Sequence, residues 1–358
     1  MARVYLRPVN ISFGDFAKNL IETNKALSLC GRDNAAFTHV EIIRKNETGE
    51  ISKKLVFYKA VSEESDHAIC LPILHRITSK RNLNLKNINL NKPIIVGVLN
   101  LTPDSFSDGG KYNNKVKALD HVEDMVTYGA TMIDVGGEST RPGSTSVTEL
   151  DEIKRVSEII KLIKKKYSEI PISLDTRKSE VMKHGNDIGV DLFNDVSALD
   201  FDNKSSDVVL ASKKPVILNH SQGTPDTMQL NPTYGNAVLD IYDYFETKIK
   251  TLKSLGINDD QIIIDPGIGF GKTVEHNLEI LSSIAIYHGL GYPIMVGPSR
   301  KSFIGKLMKE LDSNDRIGGT IASVLFSLSQ GVQMFRVHDV KIVNESFALQ
   351  TEFLNRSR

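Results

Sequence analysis

The chain has little cysteine: Cys30 and Cys70 are the only two thiols in 358 residues. Two cysteines cannot staple a chain of this size, so reduced thiols and a cytoplasmic location are expected. It also has no excess charge. Forty-four Lys and Arg balance 44 Asp and Glu, which leaves no polybasic footprint and argues against a nucleic-acid partner. No apolar run approaches the length of a membrane span, and the opening MARVYLRPVN lacks the apolar core of a signal peptide, so no membrane partner is expected. What is present is ordinary: 40% hydrophobic and 25% charged residues. Those values exclude a largely disordered, collagen-like or coiled-coil chain and suit one large α/β barrel with an appendage.

Charge divides the chain unequally. Residues 1–91 carry 14 Lys and Arg against 9 Asp and Glu, +5, so the remainder is −5. VYLRPV, FTHVEII and KLVFYKA read as strands, and Phe16–Leu29 as a helix ended by Gly31. Residues 1–91 are therefore expected to form a small α/β accessory domain. Asn82–Asn91, NLNLKNINLN, reads as a strand by alternation or as a connector by its asparagines. From Pro93 the rhythm changes. Short apolar runs alternate with helical segments eight times, from IIVGVLN through TMIDVG, IPISLDT, VDLFNDV, PVILNH, IIIDP and PIMVG to MFRVHD. That is the pattern of a (β/α)₈ TIM barrel over residues 92–358.

Polar residues gather where these strands end: Asn100, Asp134, Asp175, Asn194, His220, Asp265, Ser299, and Arg336 with His338. In a barrel those ends converge on one mouth, where active sites lie. Two long loops rich in Gly, Ser and Pro follow the first two strands, LTPDSFSDGGKYNN and GGESTRPGSTS, and could close over a substrate. Late in the barrel, GPSRKSFIG (297–305) and RVHDV (336–340) supply cations and hydroxyls suited to a phosphate group. Asp175, Asn194 and Asp265 suit a planar heterocycle rich in N–H groups, but could equally bind Mg²⁺ or act as general acids. PGIGFGKT (266–273) nearly spells a phosphate-binding nucleotide loop. Pro266 stands where that motif needs glycine, so it reads as a tight turn placing Phe270 and Lys272 at the mouth.

Taken together, NLTPDSFSDGG (100–110), GGESTRPG (136–143), SLDTRK (173–178), NDVSA (194–198), HSQGTPDTMQ (220–229), DPGIGFGK (265–272), GPSRKSFIG and RVHDV resemble the bacterial dihydropteroate synthases of the pterin-binding barrel family. The resemblance implies condensation of 6-hydroxymethyl-7,8-dihydropterin diphosphate with 4-aminobenzoate in folate biosynthesis, with Mg²⁺ required. It implies that Asp175, Asn194, Asp265 and Lys301 hold the pterin, and that Arg336 and His338 hold the diphosphate. Asn100 is implied as the Mg²⁺ residue and a diphosphate neighbour. Asp108, Thr140, Arg141 and Pro142 in the loops, with Phe270 and Ser302, are implied around aminobenzoate. Asp175, Lys301, Arg336 and His338 are the implied catalytic set, and a homodimer is the implied assembly. One departure stands out: relatives commonly read Met-His-Met where this chain has Asn219-His220-Ser221, which predicts a wetter pterin wall. The rival readings are a pterin-dependent methyltransferase, which would need no diphosphate clamp, and a non-catalytic interaction protein.

Overall fold

The computed structural model describes residues 3–102, 111–139, 144, 146–223, 227–309 and 312–356, with the backbone alone at 111–114. Its amino-terminal unit is an antiparallel sheet of β1 (Arg3–Phe13), β2 (Leu27–Ser28), β3 (Ala35–Lys45) and β4 (Ile51–Phe57), with helices α1 (Gly14–Glu22) and α2 (His67–Thr78). β3 pairs with β1 on one side and with β2 and β4 on the other. Alternation assigns the two faces. Val4, Leu6, Val40, Ile42 and Val56 form a core with Cys70, Ile73, Leu74 and Ile77 of α2, while Tyr5 and Ile43 join the barrel's core. The Tyr5 hydroxyl donates to Asp243 at 2.8 Å. The helix predicted over Phe16–Leu29 is shorter in the structure. It ends at Glu22, Asn24 takes a left-handed φ of 54°, and the chain turns back in time for Leu27–Ser28 to pair with β3. Gly14 begins α1 with φ +68°, and a Cβ there would lie 2.6 Å from Asn355 Cα.

The eight predicted barrel strands are present: β5 (Ile94–Asn100), β6 (Met132–Gly136), β7 (Ile172–Asp175), β8 (Leu192–Asp195), β9 (Val216–Asn219), β10 (Ile262–Asp265), β11 (Met295–Val296) and β12 (Met334–Val337). All pair in parallel, β5 lying beside both β6 and β12, and a parallel bridge from Ile264 to Ile294 closes the ring. The outer helices are α3 (Lys111–Thr127), α4 (Glu149–Lys166), α5 (Ser179–Asp187), α6 (Ser205–Ser212), α7 (Ala237–Ser254), α8 (Val274–Ser282), α9 (Ser302–Met308), α10 (Ile317–Ser329) and α11 (Val340–Arg356). After Ser282 the chain leaves α8 for a 3₁₀ segment, Ile284–Leu290. Among the described residues no helix is long and apolar enough to cross a membrane.

Strand periodicity explains why the barrel is dry at one end and polar at the other. Met132, Leu192, Ile217, Ile263, Met295 and Met334 meet in one apolar layer inside the ring. Two residues further along each strand, on the same inward face, stand Asp134, Asn194, Asn219, Asp265, Gly297 and Arg336. Leu83, Leu85, Ile88 and Leu90 pack against the apolar layer from below. The stretch 82–91 is thus a connector without strand pairing, and its alternating apolar residues form the barrel floor.

Candidate active site

The second inward layer forms the base of a pocket lined by Asp175, Asn194, Asn219, Asp265, Lys301 and Arg336, with Val196, Ile268, Phe270 and Gly297 completing its wall. Six residues expected from sequence therefore meet in one place: Asp175, Asn194, Asp265, Lys301, Arg336 and Phe270. Asn219 and Asp134 carried more than their sequence reading gave them. Asn219 lines the pocket, and Asp134, inside β6 and fully buried, sits beneath Arg336. The signal for both was the two-residue offset from Ile217 and Met132.

Arg336 is the electrostatic centre. Its Nε donates to Asp134 Oδ2 at 2.6 Å and its Nη2 to Asp175 Oδ2 at 2.7 Å, while its side chain stays 17% exposed and can face a ligand. Asn194 Nδ2 donates to the same Asp134 oxygen at 3.2 Å. Burial pushes the Asp175 carboxyl up to about 7, against the pull of Arg336 and with Asp134 adding repulsion. Asp265 is pushed up to about 6 by burial, although the Gly267 amide donates to it. The Arg336 guanidinium is held above its usual value because the two carboxylates outweigh the cost of burial.

Among the described residues, three buried oxygens at this end have no protein donor: Asp134 Oδ1, Asn194 Oδ1 and Asn219 Oδ1. A buried acceptor without a partner costs about 1–3 kcal/mol, so these atoms suit a ligand that brings N–H groups. Lys301 Nζ lies 3.6 Å from the centroid of the Phe270 ring, which places an ammonium beside that ring in the pocket wall.

His338 follows β12 and lies outside the pocket lining. Burial, reinforced by Arg336 and Arg300, lowers its imidazole to about 3, so it is neutral. Ser299 Oγ lies 3.0 Å from its Nδ1 and accepts its backbone N–H at 3.2 Å. With Ser299 donating to Nδ1, the proton sits on Nε2, where it can donate to an anion. Asn100 ends β5. Its Oδ1 and Asp175 Oδ2 lie 3.6 and 3.7 Å from where a Cβ on Gly136 would stand, so Gly136 leaves a cradle between two oxygens. Ser302 opens α9 and is exposed. Asp108, Thr140, Arg141 and Pro142 lie outside the described residues. The stem of the second loop is described. Glu138 accepts from Val147 N at 3.0 Å and pairs with Lys178 at 3.1 Å and Arg177 at 3.2 Å.

Fold and pocket together define a parallel-barrel enzyme whose mouth gathers carboxylate and amide acceptors with a lysine and an arginine. The pterin binding enzyme family matches residues 96–338. The dihydropteroate synthase of Synechocystis is 40% identical over 247 residues, covering 69% of this chain and 85% of its own length. A Clostridium difficile dihydropteroate synthase, crystallised in the presence of pteroic acid, is 38% identical with a TM-score of 0.69, covering 74% of this chain and 98% of that one. The Xanthomonas albilineans dihydropteroate synthase with 4-aminobenzoic acid is 33% identical with a TM-score of 0.71, covering 76% and 96%. The chain belongs to the pterin binding enzyme family, and within it to the dihydropteroate synthases, transferases of folate biosynthesis.

Proposed function

We propose that this chain joins 6-hydroxymethyl-7,8-dihydropterin diphosphate to 4-aminobenzoate, giving 7,8-dihydropteroate and diphosphate. The observation that carries this reading is the set of acceptors at the pocket base. Asp175, Asp265, Asn194 Oδ1 and Asn219 Oδ1 face one space, and a dihydropterin offers an amino group and ring N–H donors to such a set. Lys301 supplies the complementary donor for the ring's acceptor edge. Asn219 replaces an apolar neighbour with a further acceptor.

The residues also fit the chemistry of departure. A C–O bond to diphosphate breaks, a C–N bond to the arylamine forms, and the amine loses one proton. Arg336 in the pocket wall, and the Nε2–H of His338 just beyond the end of β12, balance the leaving group's growing charge. Asp175 stabilises positive charge on the methylene carbon, which favours loss of diphosphate before amine attack. Mg²⁺ is part of this reading. Among the described residues no three His, Cys, Asp or Glu side chains gather into a metal cage. An ion that keeps its waters and takes substrate phosphate oxygens needs only a point of attachment, and the Asn100 oxygen beside Asp175 provides one. When bound, Mg²⁺ would neutralise diphosphate charge.

The direct test supplies each substrate pair separately. Diphosphate release and dihydropteroate formation are expected with the dihydropterin diphosphate and 4-aminobenzoate. Methyl transfer from methyltetrahydrofolate instead, or no turnover at all with an intact fold, would overturn the reading.

Residues 1–91 enter this proposal as an accessory domain that furnishes no chemistry. A chain beginning at Asn82 keeps the floor residues and is expected to retain turnover if soluble. One beginning at Leu90 loses Leu83, Leu85 and Ile88, at a further cost of about 3 kcal/mol or more for three partly buried side chains. Urea midpoints and turnover of the two truncations check this, and an inactive but folded Asn82 chain would refute it. The homodimer is expected to use the late helices, where Leu307 (60% exposed), Met308 (46%) and Phe326 (44%) stay in solvent while Val324 and Leu328 serve the core. Sedimentation showing only a 39.7 kDa species would exclude it.

A further inference from the structure

Lys272 is 3% exposed and has no carboxylate partner among the described ion pairs. Its Nζ lies 2.8 Å from Phe270 O, 3.1 Å from His220 O and 3.1 Å from His220 Nδ1. An ammonium has three N–H donors, and here all three are committed inside the protein. Lys272 therefore has no donor left for a substrate, although Phe270, whose carbonyl it holds, lines the pocket. It ties the end of β9, through His220, to the turn after β10, through Phe270.

That turn is held at almost every residue. Gly267 N donates to Asp265 at 2.7 Å, Gly269 N to Asn277 Oδ1 at 2.7 Å, Gln229 to Gly269 O at 2.8 Å, and Tyr234 to Gly271 O at 2.8 Å. A Cβ on Gly267 would come within 1.9 Å of His220 O, and its φ is +72°, so the two segments touch backbone to backbone. Phe270 is the aromatic side chain that this turn sends into the pocket lining, beside Ile268, and Lys301 rests on its ring.

The geometry points to Lys272 as a positioning residue: its ammonium clamps the two segments so that Phe270 forms a fixed wall for the arene of the second substrate. The inference rests on the proposed condensation and deepens it by naming what sets the aminobenzoate side of the pocket. Burial pushes the Lys272 amine down to about 7, with Asp265 opposing and Lys301 reinforcing, and the His220 imidazole beside it is kept neutral by burial and by Lys272. The Lys272 amine is thus held at a costly position, where its hydrogen bonds among the described residues go to these three acceptors.

The test compares steady-state constants of Lys272→Met with wild type. Loss of a charged donor is expected to raise the KM for 4-aminobenzoate about tenfold while the KM for the dihydropterin diphosphate moves by less than about threefold. His220→Phe keeps the aromatic packing against Tyr234, Tyr244 and Phe245 and removes one acceptor, so a smaller shift in the same direction is expected. It carries the test if Lys272→Met does not fold. Equal changes in the two KM values, or a lowered melting temperature with both unchanged, would reduce Lys272 to a structural role and overturn the inference. If wild type itself makes no dihydropteroate, the proposed function fails and this inference fails with it.

Discussion

Arg336→Ala is expected to destabilise the folded chain by about 3–5 kcal/mol, the scale for breaking a buried ion pair from one side, and to lower kcat/KM by a hundredfold or more. Both effects have one origin. The guanidinium bridges Asp134 and Asp175, so its removal leaves two carboxylates in the barrel interior without their counter-charge. In the proposed reaction, the activity loss adds the missing contact to the leaving group, itself worth about ten- to a hundredfold for a charge-assisted hydrogen bond. Urea unfolding at two pH values separates the contributions, because Asp175, raised to about 7, is protonated at low pH and the stability penalty should shrink. A variant as stable as wild type at pH 8 would show that the pair contributes nothing net.

Asp175→Asn is expected to do the opposite to stability while damaging catalysis as severely. The carboxyl is raised to about 7 in the folded chain, above its unfolded value near 3.9. The folded state therefore binds the proton more tightly. This residue's favourable contribution is complete at low pH and lost as pH rises through about 7. Asn at this position has no charge to bury, so its stability at pH 8 should equal or exceed that of wild type. Turnover should nevertheless fall about a hundredfold, the scale for one preorganised electrostatic group, and kcat should fall more than pterin affinity. The acid limb of kcat/KM in wild type is expected to show protonation near 7 and again near 6, the values of Asp175 and Asp265. The variant should lose the upper step. Equal losses in kcat and in pterin affinity would mean that Asp175 recognises the ring without stabilising the developing cation, and would favour direct displacement.

The barrel was legible because each inner strand states its own orientation. An apolar residue followed two places later by a polar one, as in Ile263 and Asp265 or Met334 and Arg336, marks both the floor and the mouth. The same offset explains why VDLFNDV, with its crowded polar residues, is nonetheless the buried strand Leu192–Asp195. The amino-terminal helix was overextended because apolar periodicity continues past Glu22, and the left-handed Asn24 has no periodicity to betray it. The partners of Arg336 were beyond reach for a different reason. Asp134 lies 202 residues away and Asp175 lies 161, and strand order alone does not say which cation crosses the ring to which acid. Nor could spacing show that Lys272 spends every donor on backbone and imidazole, since that depends on Gly267 and His220 meeting in space.

The span of the Arg336 bridges bears on how the chain is made. Translation delivers the floor residues Leu83–Leu90 first, then Asp134 on the second barrel strand and Asp175 on the third. Arg336 arrives only with the last strand, whose pairing to β5 completes the ring. Until then the two acids have no neutralising partner, and enclosing them as anions is unfavourable. Ring closure and charge neutralisation therefore coincide in one element: the strand that pairs with β5 to complete the barrel is the one that carries the cation bridging both acids.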